Sequence, residues 1–455
     1  MAYYTWKPYK LNSPILEIFN AFKNAKNCFF LDSSLNNNLS LGRYSFLGCE
    51  PFQILSGSQE AVLPKLRNEL NKYKILKSGS EPKCSDPKHA SVPFLGGALG
   101  YLAYPKSKGK GALGVPEALF AFYNTILIVD HLKNNAKVFC IGFPEKNERL
   151  QKALCRKNLE RMDRLLADIP ALGIETGRQS VKMRNLKSNL SRAIYISAVK
   201  KAKKYIKAGD IYQVNLSQRF EAECNLSAAE IYARLRRVSP SYFGSYFDAG
   251  RFQIISSSPE CFLKLKDGVA ITRPMKGTRP RSQDRREDKR LKNDLIKSPK
   301  DKAELVMIVD LERNDLGRVC NYDSIKVNPL REVEEYSTVF QTISSVSGRL
   351  FKDKDRIDLL RACSPGGSIT GCPKIRAMQI IEELEPNERS IYTGSFGYLS
   401  FSQEMQMSIL IRSILKKGNK IYFGAGGGIV ADSKPEEEYN ETLIKVRGIM
   451  QALEA

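Results

Sequence analysis

Lys276 stands in the segment Thr272 to Arg281, T-R-P-M-K-G-T-R-P-R, between Pro274 and Pro280, with Arg273, Arg279 and Arg281 close by in sequence. An amine is a nucleophile only when deprotonated, and an ordinary lysine with a pKa near 10.4 is almost fully protonated at pH 7. Lowering that value by ~3 units takes roughly 4 kcal/mol of environment, and the neighbouring guanidinium groups push in that direction. On residues alone, the segment also reads as a basic loop that meets solvent or a phosphate. Carboxylates offer the complementary chemistry. Glu260 ends S-S-S-P-E shortly before the lysine, Glu304 lies in an apolar run, and Glu438 and Glu441 are spaced i, i+3 so that they share a helix face. Each reads equally as a solvated or ion-paired glutamate, and glutamates in a first helical turn are expected on dipole grounds. Oxygen donors without a nearby His or Cys cluster suit Mg²⁺ far better than zinc.

The elements that position these residues are predicted from pattern. Cys261 to Lys266 reads as a strand, Asp267-Gly268 as a tight turn and Val269 to Thr272 as the return strand, which places Lys276 in a turn at a strand end. Ser298-Pro299 opens a helix apolar nearly all round, hence buried, so that Glu304 needs a cation. The last helix, Ser433 to Ala455, starts with a capping serine and carries Glu438, Glu441 and Lys445. Ser191 caps a helix ended by Gly209, and K-A-G-D-I-Y-Q-V-N-L-S-Q-R-F follows as a strand bearing Gln213. Ser364 to Lys374, S-P-G-G-S-I-T-G-C-P-K, is a glycine-rich loop before a helix; it lacks Walker A and G-x-G-x-x-G spacing, so it suits an anion rather than a nucleotide. Gly424 to Gly428, G-A-G-G-G, permits close backbone approach.

The chain of 455 residues is 42% apolar, enough for one large or two ordinary domains. Its 72 Lys and Arg against 49 Asp and Glu give +23, yet the basic residues are spread and lack aromatic interleaving, which argues against a nucleic-acid module. Ten cysteines without C-x-x-C pairs, and no signal-like apolar region, predict reduced thiols and a cytoplasmic protein. No membrane span is expected. Short β-like segments alternate with turns up to about residue 130, and Asp168 to Asn189 reads as a linker.

P-M-K-G-T-R-P-R resembles the P-I-K-G-T-x-P-R signature of the aminodeoxychorismate synthase component I family, one of the chorismate-utilising enzymes; the sister anthranilate synthase component I has alanine in place of Lys276. The resemblance covers Ser191 to Ala455 and thins towards the N-terminus. It implies an α+β fold of two large antiparallel sheets packed face to face with helices outside. Residues 1–170 would be an interwoven N-terminal region with a candidate tryptophan pocket, and 190–455 the chorismate-binding catalytic region. It further implies that Lys276 adds to chorismate and Glu260 acts as general acid. Mg²⁺ would bind Glu304, Glu438 and Glu441. Substrate contacts would come from Gln213, Thr278, Thr370, Gly371, Tyr392, Arg412, Gly426, Gly427, Gly428 and Lys445. Glutamine at 213, where water-adding members carry lysine, argues for amination.

Several positions depart from the family pattern. A usual histidine is Gln341, which can donate a hydrogen bond but carry no proton, and Gln406 and Met407 replace an aspartate and a threonine. Asp32 replaces a glutamate in the tryptophan region. With no G-x-C-x-G nucleophile elbow, ammonia is expected from a separate glutamine amidotransferase subunit. Anthranilate synthase component I and a non-catalytic chorismate-binding homologue remain as alternative readings.

Overall fold

A computed structural model describes residues 2–35, 41–75, 92–106, 111–167, 169, 183–336 and 339–454. Two large antiparallel sheets dominate it. The first runs Tyr4–Tyr9, Asn135–Ile141, Thr125–Asp130, Tyr44–Gly48, Phe29–Asp32, Phe243–Asp248, Gln253–Ser258, Ser413–Lys417, Lys420–Ile429, Gln213–Glu223 and Gly371–Cys372, with Arg184–Ser188 paired to Gln213–Glu223. The second runs Lys326–Val327, Val346–Arg349, Val269–Thr272, Cys261–Lys266, Met405–Ile409, Ser395–Ser400, Gly97–Leu102, Ala118–Tyr123 and Gln53–Gly57. Strands from the first 141 residues thus extend both sheets.

Aromatic rings fill the space between the sheets. Phe247 of the first meets Phe396 of the second at a centroid distance of 5.7 Å, and Phe46 meets Tyr398 at 5.9 Å. Ala118–Tyr123 and Thr125–Asp130 are buried at every residue, which explains their continuous apolar sequences. Outside the first sheet, Ile15–Phe22, Glu148–Ala167, Ala228–Val238 and Pro435–Glu454 bury Phe19, Met162, Leu235 and Ile449. Gln59–Lys72 covers part of the second.

The chain crosses between the sheets at two places that matter for the site. Pro259-Glu260 leads from Gln253–Ser258 to Cys261–Lys266, and Leu410 to Arg412 leads back from Met405–Ile409 to Ser413–Lys417. The crossings are bonded to each other, Ile409 N to Glu260 O at 3.2 Å and Ser257 N to Arg412 O at 3.1 Å.

A third, three-stranded sheet is added to the two large ones. Met275–Pro280 pairs with Val339–Ile343, which pairs with Glu332–Glu335. It prolongs the Val269–Thr272 and Val346–Arg349 pair past Arg273-Pro274 and Ser344-Ser345, where Ser344 N donates to Pro274 O at 3.1 Å. The predicted hairpin is present, with Asp267 and Gly268 at φ 50° and 75°. Lys276, however, lies in a strand, not a turn; Met275–Pro280 is an edge strand, where proline is tolerated.

Two helices also differ from expectation. Pro299–Gly317 is not buried all round, because Lys300, Lys302, Ala303, Asp310 and Arg313 face solvent while Leu305, Ile308, Glu312 and Leu316 face inward. The last helix starts at Pro435, so Ser433 is no cap; its hydroxyl accepts from Val430 N at 3.1 Å. Of the expected linker, Arg184–Ser188 is a strand, while 168 and 170–182 lie outside the described residues.

Candidate active site

Lys276 and Glu260 meet on one residue. Lys276 Nζ donates to the Ser368 carbonyl at 3.4 Å, and the Ser368 hydroxyl donates to Glu260 Oε1 at 2.6 Å. Desolvation holds the Lys276 amine below the usual lysine range and Lys445 adds to the effect, while Glu304, Glu260 and Glu441 oppose it. The expected contribution of the arginines is not found. Arg273 pairs with Glu334 at 2.9 Å, Arg279 with Asp301 at 3.0 Å and Arg281 with Asp288 at 2.9 Å, so each guanidinium is neutralised locally. Glu260, only 5% exposed, is pushed up to about 7 by burial, against the Ser368 hydrogen bond and the Lys276 charge. A carboxyl partly protonated at neutral pH beside a weakened ammonium is suited to acid-assisted nucleophilic substitution. Ser368 was not among the expected residues: the loop pattern located the segment, but not which hydroxyl turns inward.

Gln213 is fully buried, and neither its amide oxygen nor its amide nitrogen has a partner. Buried polar atoms are normally satisfied, so these two await a ligand. The opposing strand leaves room for one. A Cβ on Gly428 would lie 2.8 Å from Gln213 Nε2 and 3.4 Å from Lys276 Nζ. Gly426 presents its carbonyl to Lys445 Nζ at 2.8 Å, and Gly427 borders Glu438 and Glu441.

Tyr392 packs its ring on Gly424, where a Cβ would approach Cγ to 2.6 Å. Thr393 N bonds Leu410 O at 2.9 Å, which sets Tyr392 beside the crossing that bears Arg412. The Arg412 guanidinium is held low by desolvation, and among the described residues it has no carboxylate partner. A desolvated guanidinium without a carboxylate partner is able to take an anion, and its fork matches a carboxylate.

Thr370 and Gly371 build the loop. The Thr370 hydroxyl donates to Gly366 O at 2.9 Å, its carbonyl accepts from Asn215 N at 2.7 Å, and Gly371 pairs with Val214. Thr278 stands apart: it is exposed and accepts from Gln341 Nε2 at 3.4 Å. The bulge at Gly277 breaks the alternation that would otherwise put Thr278 on the face of Lys276. Gln341 Oε1 is buried without a partner.

The three expected metal glutamates offer oxygen donors alone. Glu438 Oε2 is buried and unpartnered. Burial raises the pKa of Glu304 and of Glu438, and the charge of Glu441 adds to both, which marks an excess of carboxylate that a cation would relieve. Glu441, although desolvated, is held low by Lys445 at 2.6 Å. Among the described residues no three His, Cys, Asp or Glu side chains already stand as a metal cluster. The carboxylate donors are of the type Mg²⁺ takes, but as placed they do not form a ligand set, and Glu441 is engaged by Lys445.

The two-sheet frame belongs to a known class of enzyme. The family model of chorismate binding enzymes matches residues 26–451, and the chain belongs to that family. It is 36% identical to anthranilate synthase component 1 of Acetivibrio thermocellus, over 98% of this chain and 93% of that protein. It is 35% identical to aminodeoxychorismate synthase component 1 of Bacillus subtilis, over 91% and 90%. Among solved structures, anthranilate synthase component I from Streptococcus pneumoniae matches with a TM-score of 0.77 at 30% identity, covering 90% of this chain and 92% of that one. The menaquinone-specific isochorismate synthase of Escherichia coli has a TM-score of 0.78 at 20% identity and shares the fold. No described helix is long and apolar enough to cross a membrane.

Proposed function

We propose that the chain is the chorismate-aminating component of an aminodeoxychorismate synthase, making 4-amino-4-deoxychorismate, the precursor of 4-aminobenzoate and folate. The observation that carries this reading is the placement of Lys276 and Glu260 on the two polar groups of Ser368. The lysine amine adds at C2 of chorismate as both conjugated ring double bonds shift and the C4 oxygen leaves. Glu260 supplies the proton that lets it depart as water. Ammonia then attacks C4, both double bonds return, the lysine is expelled with its amine regenerated, and the Glu260 carboxylate takes back a proton from the new ammonium. Arg412 and Tyr392 hold the enolpyruvyl carboxylate, and Gln213 orients the ring. Mg²⁺ bound by Glu304, Glu438 and Glu441, when present, would supply Lewis-acid neutralisation of the ring carboxylate. The component 1 names of the relatives support a separate glutamine amidotransferase subunit as ammonia source.

The competing product is anthranilate, since relatives of both names match. Mass-spectrometric product analysis with chorismate, Mg²⁺ and an ammonium salt separates the two. Aminodeoxychorismate from the wild type and its loss in Lys276→Ala are expected. Anthranilate from the wild type, or unimpaired amination by the variant, would refute the reading.

A further inference from the structure

Glu312 lies on the inner face of Pro299–Gly317, 2% exposed, and no step above uses it. Its Oε1 accepts from the Gly367 amide at 3.0 Å and its Oε2 from the Thr272 hydroxyl at 3.4 Å. Gly367 immediately precedes Ser368, and Thr272 ends the strand that leads to Lys276. One carboxylate thus ties the loop carrying Ser368 to the ribbon carrying the lysine. Consecutive loop residues are gripped from two sides, Gly367 by Glu312 and Ser368 by Glu260.

We infer that Glu312 is a positioning residue, which fixes the 366–370 loop so that Ser368 holds the Lys276 amine and the Glu260 carboxyl at once. This rests on the roles given to those two residues under the proposed function. The charged groups facing Glu312 are Asp315 on its own helix, Lys374 at the start of Lys374–Leu384, and Glu260 from the crossing. Asp315 is in turn bridged by Lys374 and Arg318. Burial pushes Glu312 up to about 7, with Asp315 and Glu260 adding to the rise.

The test compares Glu312→Ala with Glu312→Gln in the full chain, reading chorismate consumption whatever the product. A displacement of about 1 Å costs ~100-fold in rate, so the alanine variant is expected to lose roughly 10–100-fold in kcat, with KM little changed because the anion anchor is untouched. The glutamine variant keeps an acceptor for the Gly367 amide and recovers most of that loss. Hydrogen exchange over residues 366–371 reads the same hold without turnover, with protection lost in alanine and kept in glutamine. Wild-type kcat in the alanine variant, no recovery in the glutamine variant, or unchanged exchange in both would overturn the inference. Anthranilate as the product would defeat the proposed function while leaving these comparisons readable.

Discussion

Glu260 and Arg412 occupy two of the points where the chain passes between the large sheets, and the backbone bonds those points together through Ile409 N and Glu260 O at 3.2 Å. The proposed acid and the proposed anion anchor are therefore spaced by the frame itself. Arg412→Lys keeps the charge and loses the planar fork. Losing a charge-assisted hydrogen bond costs about 1.5–3 kcal/mol, so the KM for chorismate should rise roughly 10–100-fold, with kcat less affected. Steady-state kinetics decides it, and an unchanged KM would remove Arg412 from the substrate site.

Glu260 should set an alkaline limit on both rate and stability. As a proton donor it must be protonated, so kcat should fall as pH rises past about 7, and Glu260→Gln should lose ~100-fold or more in rate together with that limb. The folded value of about 7 lies above the unfolded 4.5, so the folded chain binds the proton more tightly. This stability is present below 4.5 and lost as pH rises to 7, roughly 3 kcal/mol at about 1.36 kcal/mol per pH unit. Glu260→Gln should consequently gain on the wild type in Tm between pH 5 and pH 8. Parallel Tm curves would show that the carboxyl is not held protonated.

Arg389 and Glu385 form a buried pair behind the site, with Nη2 to Oε1 at 2.7 Å. Arg389 also donates to Ile369 O at 2.8 Å and Asn215 O at 2.7 Å, and Glu385 accepts from Ser217 N at 2.8 Å. Removing one partner of such a pair costs roughly 3–5 kcal/mol, because the other charge is left buried. Arg389→Met should show that loss in denaturant midpoint, and adding Glu385→Gln should recover part of it. No recovery would mean that the cost lies in the lost loop contacts.

Mg²⁺ binding should depend on Glu438. Replacing it by glutamine removes the carboxylate bearing the unpartnered Oε2, so calorimetric titration with Mg²⁺ should show affinity lowered by ~10-fold or more. Chelator-treated wild type should regain turnover on adding Mg²⁺. Equal Mg²⁺ affinity in the variant would place the cation elsewhere.

Much of the frame was readable because its signals are local. The Asp267-Gly268 turn, the Ser191 cap and the positive φ of Gly209 follow from neighbours in sequence. The third sheet was not, because pairing of Met275–Pro280 with Val339–Ile343 depends on residues far apart in the chain. The same limit applies within the site. Lys276 and Glu260 were singled out by residue type and motif, whereas Ser368 and Glu312 act through directions that only the assembled fold sets. The Gly277 bulge turned Thr278 to solvent, and the arginines assigned to Lys276 found their own carboxylates.

The bend at Arg273-Pro274 and Ser344-Ser345 makes the ribbon bearing Lys276 a lever mounted on the second sheet, spanned by the single bond from Ser344 N to Pro274 O. Rotation at that joint would swing the nucleophile while Glu260 and Arg412 stayed where the frame puts them. The reach of Lys276 is thereby set separately from the spacing of Glu260 and Arg412, which the frame fixes.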